Sequence, residues 1–337
     1  MMQQTSLRMR GAQPLRGFTL VEMLVSMAVL SLIILMITQM VNNAAMVVAN
    51  SGKHVDTDTE ARVVFDRLAV ELGAMVKRPE VDYSAFKQPA STLPAQYGSL
   101  TEQANPQQGN DQLAFYSETT GYVYGNASLV GNKKANVSLV AYQVAPDPYA
   151  AGTLPVLQRM SQAMGWEPGT SGTWNGIAYL PITLTQQWGN VFGPPYTNGT
   201  GGYDTVGDQV FRMEYTYLLK PTATGTSRYS VTPWDTTAVP AHTSINGFQD
   251  VAAIVVTLAL LDSRSRLLVH DYSVLTGNSL FPDALESTTD SKYNGDVAPA
   301  WNAALKSPSF ATQAGIPQAA AGAIRIYERS FPLDTQP

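Results

Sequence analysis

From Phe18 to Val41 the chain runs through 24 largely apolar residues, and no ionisable side chain occurs between Met23 and Gly52. As a helix rising about 1.5 Å per residue, that run measures roughly 36 Å, enough to cross the ~30 Å hydrocarbon core of a bilayer. Residues 1–17 carry Arg8, Arg10 and Arg16 and no acid. By the positive-inside rule this end stays in the cytoplasm and the rest faces outward, a single-pass arrangement. One acid, Glu22, stands almost at the mouth of the apolar run. A carboxylate in hydrocarbon costs several kcal/mol unless it is paired or protonated, so Glu22 is a candidate functional residue in want of a cation.

A secretory signal is cut after its apolar run, whereas the inviting site here, Gly17-Phe18, comes before it. The stretch "RGFTLVEML", Arg16 to Leu24, closely resembles the prepilin processing motif of type IV pilins and type II secretion pseudopilins. The resemblance implies that a membrane aspartyl peptidase cuts after Gly17 and that the new terminal residue, Phe18, is N-methylated. It also implies that Glu22, the fifth mature residue, pairs with the terminal amine of a neighbouring subunit and sets its axial register. Leu24, Met27, Leu30 and Ile34 would form the helix face that packs within a filament. The implied partners are other pilins or pseudopilins, the prepilin peptidase and methylase, an inner-membrane assembly platform and membrane lipid. Two rival readings use the same segment: a secreted protein cut near Ala45 or Ala49, and a surface-anchored adhesin or binding protein.

Beyond the apolar run, Ala61, Val64, Phe65, Leu68, Leu72, Met75 and Val76 recur at three- and four-residue steps, which predicts one apolar helical stripe. Asp58, Arg62 and Asp66 follow one another at i,i+4 on its flank. The helix is expected to end near Arg78, ahead of Pro79, giving about 60 helical residues in all. The resemblance implies the same two-part helix. Asp56, Asp58 and Glu60 alternate as in an EF-hand loop, but Ala61 occupies the position where the turn needs glycine, so they read as a solvated face. The domain expectation is a leader at 1–17, a membrane or filament half at 18–52, an amphipathic half at 53–78 and a head at 79–337.

In the head the period falls to two. "QVFRMEYTYLL" places Phe211, Met213, Tyr215, Tyr217 and Leu219 on one side and Arg212, Glu214 and Thr216 on the other, a half-buried strand. "DVAAIVVTLALLD" is apolar on both sides, so it is expected at the centre of the sheet with Ile254, Val256, Leu258 and Leu260 toward the core. Further strands are expected at 112–117, 137–144, 154–159, 267–270 and 324–327, and a short helix at 299–307. The fold class is α+β: a long N-terminal helix on one antiparallel sheet. Residues 79–110, 161–208 and 276–322 otherwise fit no regular element. Trp166, Trp174, Trp188 and Trp234 read as anchors of these loops rather than as a binding surface. More loosely, "DVAAIVVTLALLD" and "AIRIYERSFPL", Ala323 to Leu333, resemble the J-type minor pseudopilins and the prepilin-like Verru_Chthon cassette protein C group. A head of about 260 residues is large for a repeating shaft subunit and suits a place near a filament tip.

Composition narrows the functional classes. With no cysteine, thiolate metal sites and cysteine nucleophiles are excluded. A net charge of −5 without a basic patch argues against a nucleic-acid partner. His54, His242 and His270 lack metal-ligand spacing, His270-Asp271 has no nucleophile elbow to serve, and no phosphate-binding loop is present. No catalytic residue, resident metal or cofactor is therefore expected. Calcium is the nearest exception, because Asp204, Asp208, Asp283, Asp290 and Asp296 lie in expected loops; solvated loop acids are the simpler reading. The chain reads as a non-enzymatic minor pseudopilin or minor pilin-like subunit, anchored in the inner membrane with a periplasmic head.

Overall fold

The computed structural model describes residues 19–77, 84–86, 110–122, 134–146, 155–163, 203–221, 228–230, 233–235, 238–242, 248–272, 275, 280–282 and 297–333. The chain divides into two compact units, residues 1–52 and residues 53–337. Helix α1, Leu20–Gly73, begins in the first and ends in the second.

In the first unit every described side chain of α1 is exposed, including Leu24, Met27, Leu30 and Ile34. Leu20–Ala45 is the one helix among the described residues long and apolar enough to cross a membrane. Its hydroxyls are folded back onto the backbone: Ser26 Oγ donates to Glu22 O at 2.7 Å, Ser31 Oγ to Met27 O at 2.8 Å and Thr38 Oγ1 to Ile34 O at 2.8 Å. That hides three polar groups from an apolar surrounding, where an unbonded hydroxyl costs free energy.

In the second unit the apolar stripe is buried as its spacing predicts: Ala61, Val64, Phe65, Leu68, Leu72 and Met75 all lie in the core, with Val76 half-buried. The helix stops at Gly73 rather than near Arg78. Glycine is a poor helix former, and the following backbone is taken over by the sheet: Val76 N donates to Tyr116 O at 2.8 Å, Glu118 N donates to Ala74 O at 2.8 Å, and Met75 bridges antiparallel to Ser117.

The head holds two antiparallel sheets and a small ribbon instead of the single sheet expected. One sheet has five strands: β1 Ser84–Phe86, β2 Gln112–Ser117, β5 Ser138–Ala145, β6 Val156–Ala163 and β7 Tyr203–Gly207, in the order β1-β2-β5-β6-β7. The other has four: β8 Val210–Leu219, β9 Arg228–Ser230, β10 Val251–Leu260 and β11 Arg325–Pro332, in the order β11-β10-β8-β9. β3, Gly121–Tyr122, and β4, Lys134–Ala135, form the ribbon. The sheets part at a two-residue step, Asp208-Gln209, between β7 and β8. They are tied again by side chains standing in for a strand. β9 pairs only with the far end of β8, at Tyr217 to Leu219. Nearer its start, Met213 N donates to Asn110 Oδ1 and Tyr215 N to Asp111 Oδ2, both at 2.9 Å.

β10 is central, between β8 and β11, as its two apolar faces require. Ile254, Val256, Leu258 and Leu260 face the core shared with α1, alongside residues of both sheets such as Phe115, Val140, Met213 and Tyr215. The opposite face of β8 and β10 carries a second core, closed by short helices α2 Ser263–Arg266, α3 Val297–Leu305, α4 Phe310–Ala314 and α5 Gln318–Ala321. Trp301 fills its centre: Phe281 packs edge-on at 5.4 Å, and Trp301 Nε1 donates to Pro282 O at 2.8 Å.

This second layer corrects several expectations. β8 is buried on both faces rather than half-buried, so Arg212 and Glu214 lie inside and pair at 3.2 Å. Phe211 belongs to the second core, not to the side of Met213, because the register with β10 slips between Ala259 and Leu260 and the bulge turns that residue over. The expected strand at 267–270 is a turn following α2, whose start is set by Asp262 accepting from Arg264 N and Ser265 N at 3.1 Å each. The stretch 276–322 contains α4 and α5 besides α3, which stands where the short helix at 299–307 is expected, and 161–208 contains the end of β6 and all of β7. The first stretch, 79–110, holds β1.

Candidate functional site

The structure begins its account of the candidate site at Thr19; Gly17 and Phe18 lie outside the described residues. Thr19 is the last non-helical residue before α1, and Glu22 sits three positions later in the first turn. Thr19 N donates to Glu22 Oε2 at 2.9 Å, Thr19 Oγ1 donates to the same oxygen at 3.0 Å, and Glu22 N donates to Thr19 Oγ1 at 3.3 Å. This is a reciprocal capping box, in which threonine and glutamate each satisfy a backbone donor that the first turn leaves open. A negative charge there also complements the positive end of the helix dipole. The pattern T-x-x-E ahead of an apolar run is a sequence signal for such a cap, and it adds Thr19 to the residues that matter. Both donations land on Oε2, and Oε1 takes part in neither.

Downstream of the cap, Leu24, Met27, Leu30 and Ile34 are between 55% and 69% exposed. Side chains of this kind, at this density, cannot face water without a large cost, at about 25 cal/mol per Å² of apolar surface. The segment therefore needs a partner, lipid or protein, along its length.

A second polar constellation went unforeseen. Glu71 sits inside the amphipathic stripe and is 2% exposed. Arg159 Nε on β6 donates to its Oε1 at 2.8 Å, and Arg159 Nη2 also bonds that oxygen; Tyr142 on β5 donates to Oε2, and Arg67 stands one turn back at 3.2 Å. Burial, followed by the charge of Glu71, pushes the Tyr142 hydroxyl well above its usual range, so it stays a donor. Ser117 Oγ donates to Glu71 O at 2.9 Å, drawing β2 into the same knot. An isolated acid in an apolar stripe is the only local sequence signal, and its partner lies 88 positions away.

The remaining candidates do not assemble into a site. His270 and Asp271 are both exposed, while His242 pairs with Asp250 at 2.7 Å, and His54's side chain lies outside the described residues. Trp234 is buried, and Trp166, Trp174 and Trp188 lie outside the described residues. Among the described residues no group of three or more His, Asp or Glu side chains could hold a metal ion; Asp204 and Asp208 are exposed, and Asp283, Asp290 and Asp296 fall outside. The acids read as one solvated face divide: Asp56 is exposed, Asp58 accepts from Tyr327 Oη, and Glu60 turns inward to accept from Gln209 N at 2.6 Å.

Residues 16–38 match the family described as Prokaryotic N-terminal methylation motif. No curated protein matches the sequence at a significant level. Among solved structures, a type IV-like pilin from Thermus thermophilus aligns at 12% identity over 83% of this chain and 95% of that one, with a TM-score of 0.27. At its N-terminus, then, the α+β chain is pilin-like: it carries a prepilin-type methylation motif at the mouth of an exposed apolar helix.

Proposed function

We propose that the chain is a minor pseudopilin or minor pilin-like subunit, a structural protein that acts by assembling rather than by catalysis. Prepilin peptidase would cut after Gly17 at the cytoplasmic side of the inner membrane, and Phe18 would be methylated. The division into leader, membrane or filament half, amphipathic half and periplasmic head follows from that cut. The observation that carries the reading is the methylation motif at residues 16–38 overlapping a 26-residue apolar helix, Leu20–Ala45, with no buried side chain. Lipid covers such a helix before assembly, and the helices of other subunits cover it afterwards.

In this mechanism Glu22 has two tasks. Oε2 holds the first turn through Thr19, and Oε1 receives the α-ammonium of a neighbouring subunit, which exists only once the leader is gone. Neutralising a carboxylate in an apolar setting stabilises the assembled state over a slipped one, because a slipped register leaves both charges unpaired. Leu24, Met27, Leu30 and Ile34 supply the packing face. The head meets neighbouring minor subunits or cargo of a secretion or pilus-like filament, and the looser likeness of its β10 and β11 sequences to J-type minor pseudopilins favours a place among the minor subunits.

Mass spectrometry of the mature N-terminus tests this. A methylated Phe18 is the expected result; a start near Asn50 would replace the filament reading with that of a freely secreted protein, and a retained leader would remove both.

A further inference from the structure

The head holds one apolar turn out of both cores. At the end of β10 the chain enters the second core through Leu261, makes the single turn of α2 and continues as Leu267-Leu268-Val269. Val269 is buried, whereas Leu267 is 81% and Leu268 42% exposed. A loose loop would let these leucines fold back, but this turn is pinned. Asp262 Oδ1 accepts from Arg264 N and Ser265 N, Leu268 N donates to Ser265 O at 3.0 Å, Val269 N donates to Arg266 O at 3.1 Å, and Tyr272 Oη reaches the same carbonyl at 3.2 Å. Single exposed leucines are ordinary; an adjacent pair on a rigid turn marks a contact.

The place of the turn in the fold indicates what makes that contact. Tyr327, paired with Leu258 of β10, bonds Thr57 Oγ1 at 3.1 Å, and Gln209, which accepts from Leu261 N at 2.9 Å, donates its own N–H to Glu60 at 2.6 Å. Phe331, paired with Ile254, packs on Phe65 at 6.0 Å. The end of β10 therefore lies beside residues 57–60, where α1 enters the second unit, and its start lies farther along the helix. From Ala45, the last residue of the membrane-length run, to Thr57 the chain measures about 18 Å as a helix. A lipid headgroup layer takes up roughly 5–8 Å of such a length. Beside the leucines, Arg264 and His270 are both exposed and offer N–H donors to a phosphate.

We propose that the turn Arg264–Val269 is a lipid-contact site: Leu267 and Leu268 enter the phospholipid headgroup layer and Arg264 pairs with a lipid phosphate. This rests on the reading of α1 as a membrane anchor. A single helix leaves the head free to swivel, and a second point of contact fixes the face that it turns toward an arriving subunit. Val239 supplies the contrast. It is 99% exposed, but its loop is tied to Asp250, just ahead of β10, by Asp235 N and His242 Nδ1, which lie 2.8 and 2.7 Å from Asp250 Oδ2. The length of β10 sets it about 30 Å from the leucine turn.

The chain has no cysteine, so single labelled cysteines test this. The full chain is placed in mixed phosphatidylethanolamine–phosphatidylglycerol vesicles with a bimane label at Ser263→Cys, Val239→Cys or Ser31→Cys. Lipid carrying a headgroup nitroxide should quench the Ser263 label about twofold more than the Val239 label, and the pair Leu267→Ser with Leu268→Ser should abolish the difference. Equal quenching at Ser263 and Val239, with the Ser31 label quenched by an acyl-chain nitroxide, would overturn the contact and leave the anchor standing. A Ser31 label out of reach of the acyl-chain nitroxide would remove anchor and contact together. A Ser263 label shielded from iodide on both sides of the bilayer yet untouched by lipid nitroxides would assign the leucines to a protein partner and overturn the lipid contact.

Discussion

The two stretches of α1 differ in what they ask of the rest of the protein. Between Leu20 and Ala45 the apolar residues point in every direction and none is buried; between Ala61 and Leu72 most of them gather in one buried stripe, leaving Val63 and Val70 outside it, and Leu68 and Leu72 are 1% and 0% exposed. The first pattern can be satisfied only by something outside the chain, the second only by the chain itself. Their charges follow the same division. Glu22 is held by its own first turn through Thr19, with an oxygen to spare, whereas Glu71 is saturated by Arg159, Tyr142 and Arg67. An acid with spare capacity suits a joint that has yet to form, and a saturated acid suits one already closed.

If this contrast is right, substitutions in the two stretches should sort by what they damage. Glu71→Ala should have the largest effect on the head, about 3–5 kcal/mol, because it strands the Arg159 guanidinium in the interior. Urea unfolding of the full chain in micelles measures it, and a loss under ~1 kcal/mol would show that water or Arg159 itself relaxes the site. Leu68→Ala removes a buried branched side chain and should cost about 2–5 kcal/mol by the same measurement. Thr19→Ala breaks the capping box and should loosen the start of α1 by about 0.5–2 kcal/mol, seen as faster amide exchange at Leu20 to Met23 with head unfolding unaltered. Glu22→Ala and Leu30→Ala should move head stability by less than about 0.5 kcal/mol. Both should nevertheless impair incorporation into filaments while leaving cleavage after Gly17 intact. Normal incorporation of Glu22→Ala would break the comparison, since the spare oxygen would then have no task.

The legibility of the chain follows the same physical line. Local periodicity was readable wherever one element meets one neighbour in a regular way: the stripe Ala61 to Met75, the inward set Ile254, Val256, Leu258 and Leu260, and the central place of β10. It was misleading where a second layer intervenes. Arg212 and Glu214 look like the wet side of a strand, and only the helices α2 to α5, drawn from residues some 50 to 110 positions downstream, turn that side into an interior. A bulge is equally silent: nothing in "QVFRMEY" says that Phe211 turns over. The division into two sheets depends on which strands pair, and strand composition carries no such information. Thr19 is a different case, for its capping pattern with Glu22, T-x-x-E ahead of an apolar run, is legible in the sequence alone.

The way α1 ends has a mechanical consequence. The helix does not run out into a free loop: the residues that follow it, Ala74 to Val76, meet the end of β2 in an antiparallel bridge, held by Val76 N to Tyr116 O and Glu118 N to Ala74 O, while Ser117 Oγ reaches back to Glu71 O in the last turn of the helix. Tension applied along the helix axis would load these bonds sideways and together, like stitches in a lap seam, and would spread the load through β2 into β5 and β6 before any single bond carried it alone.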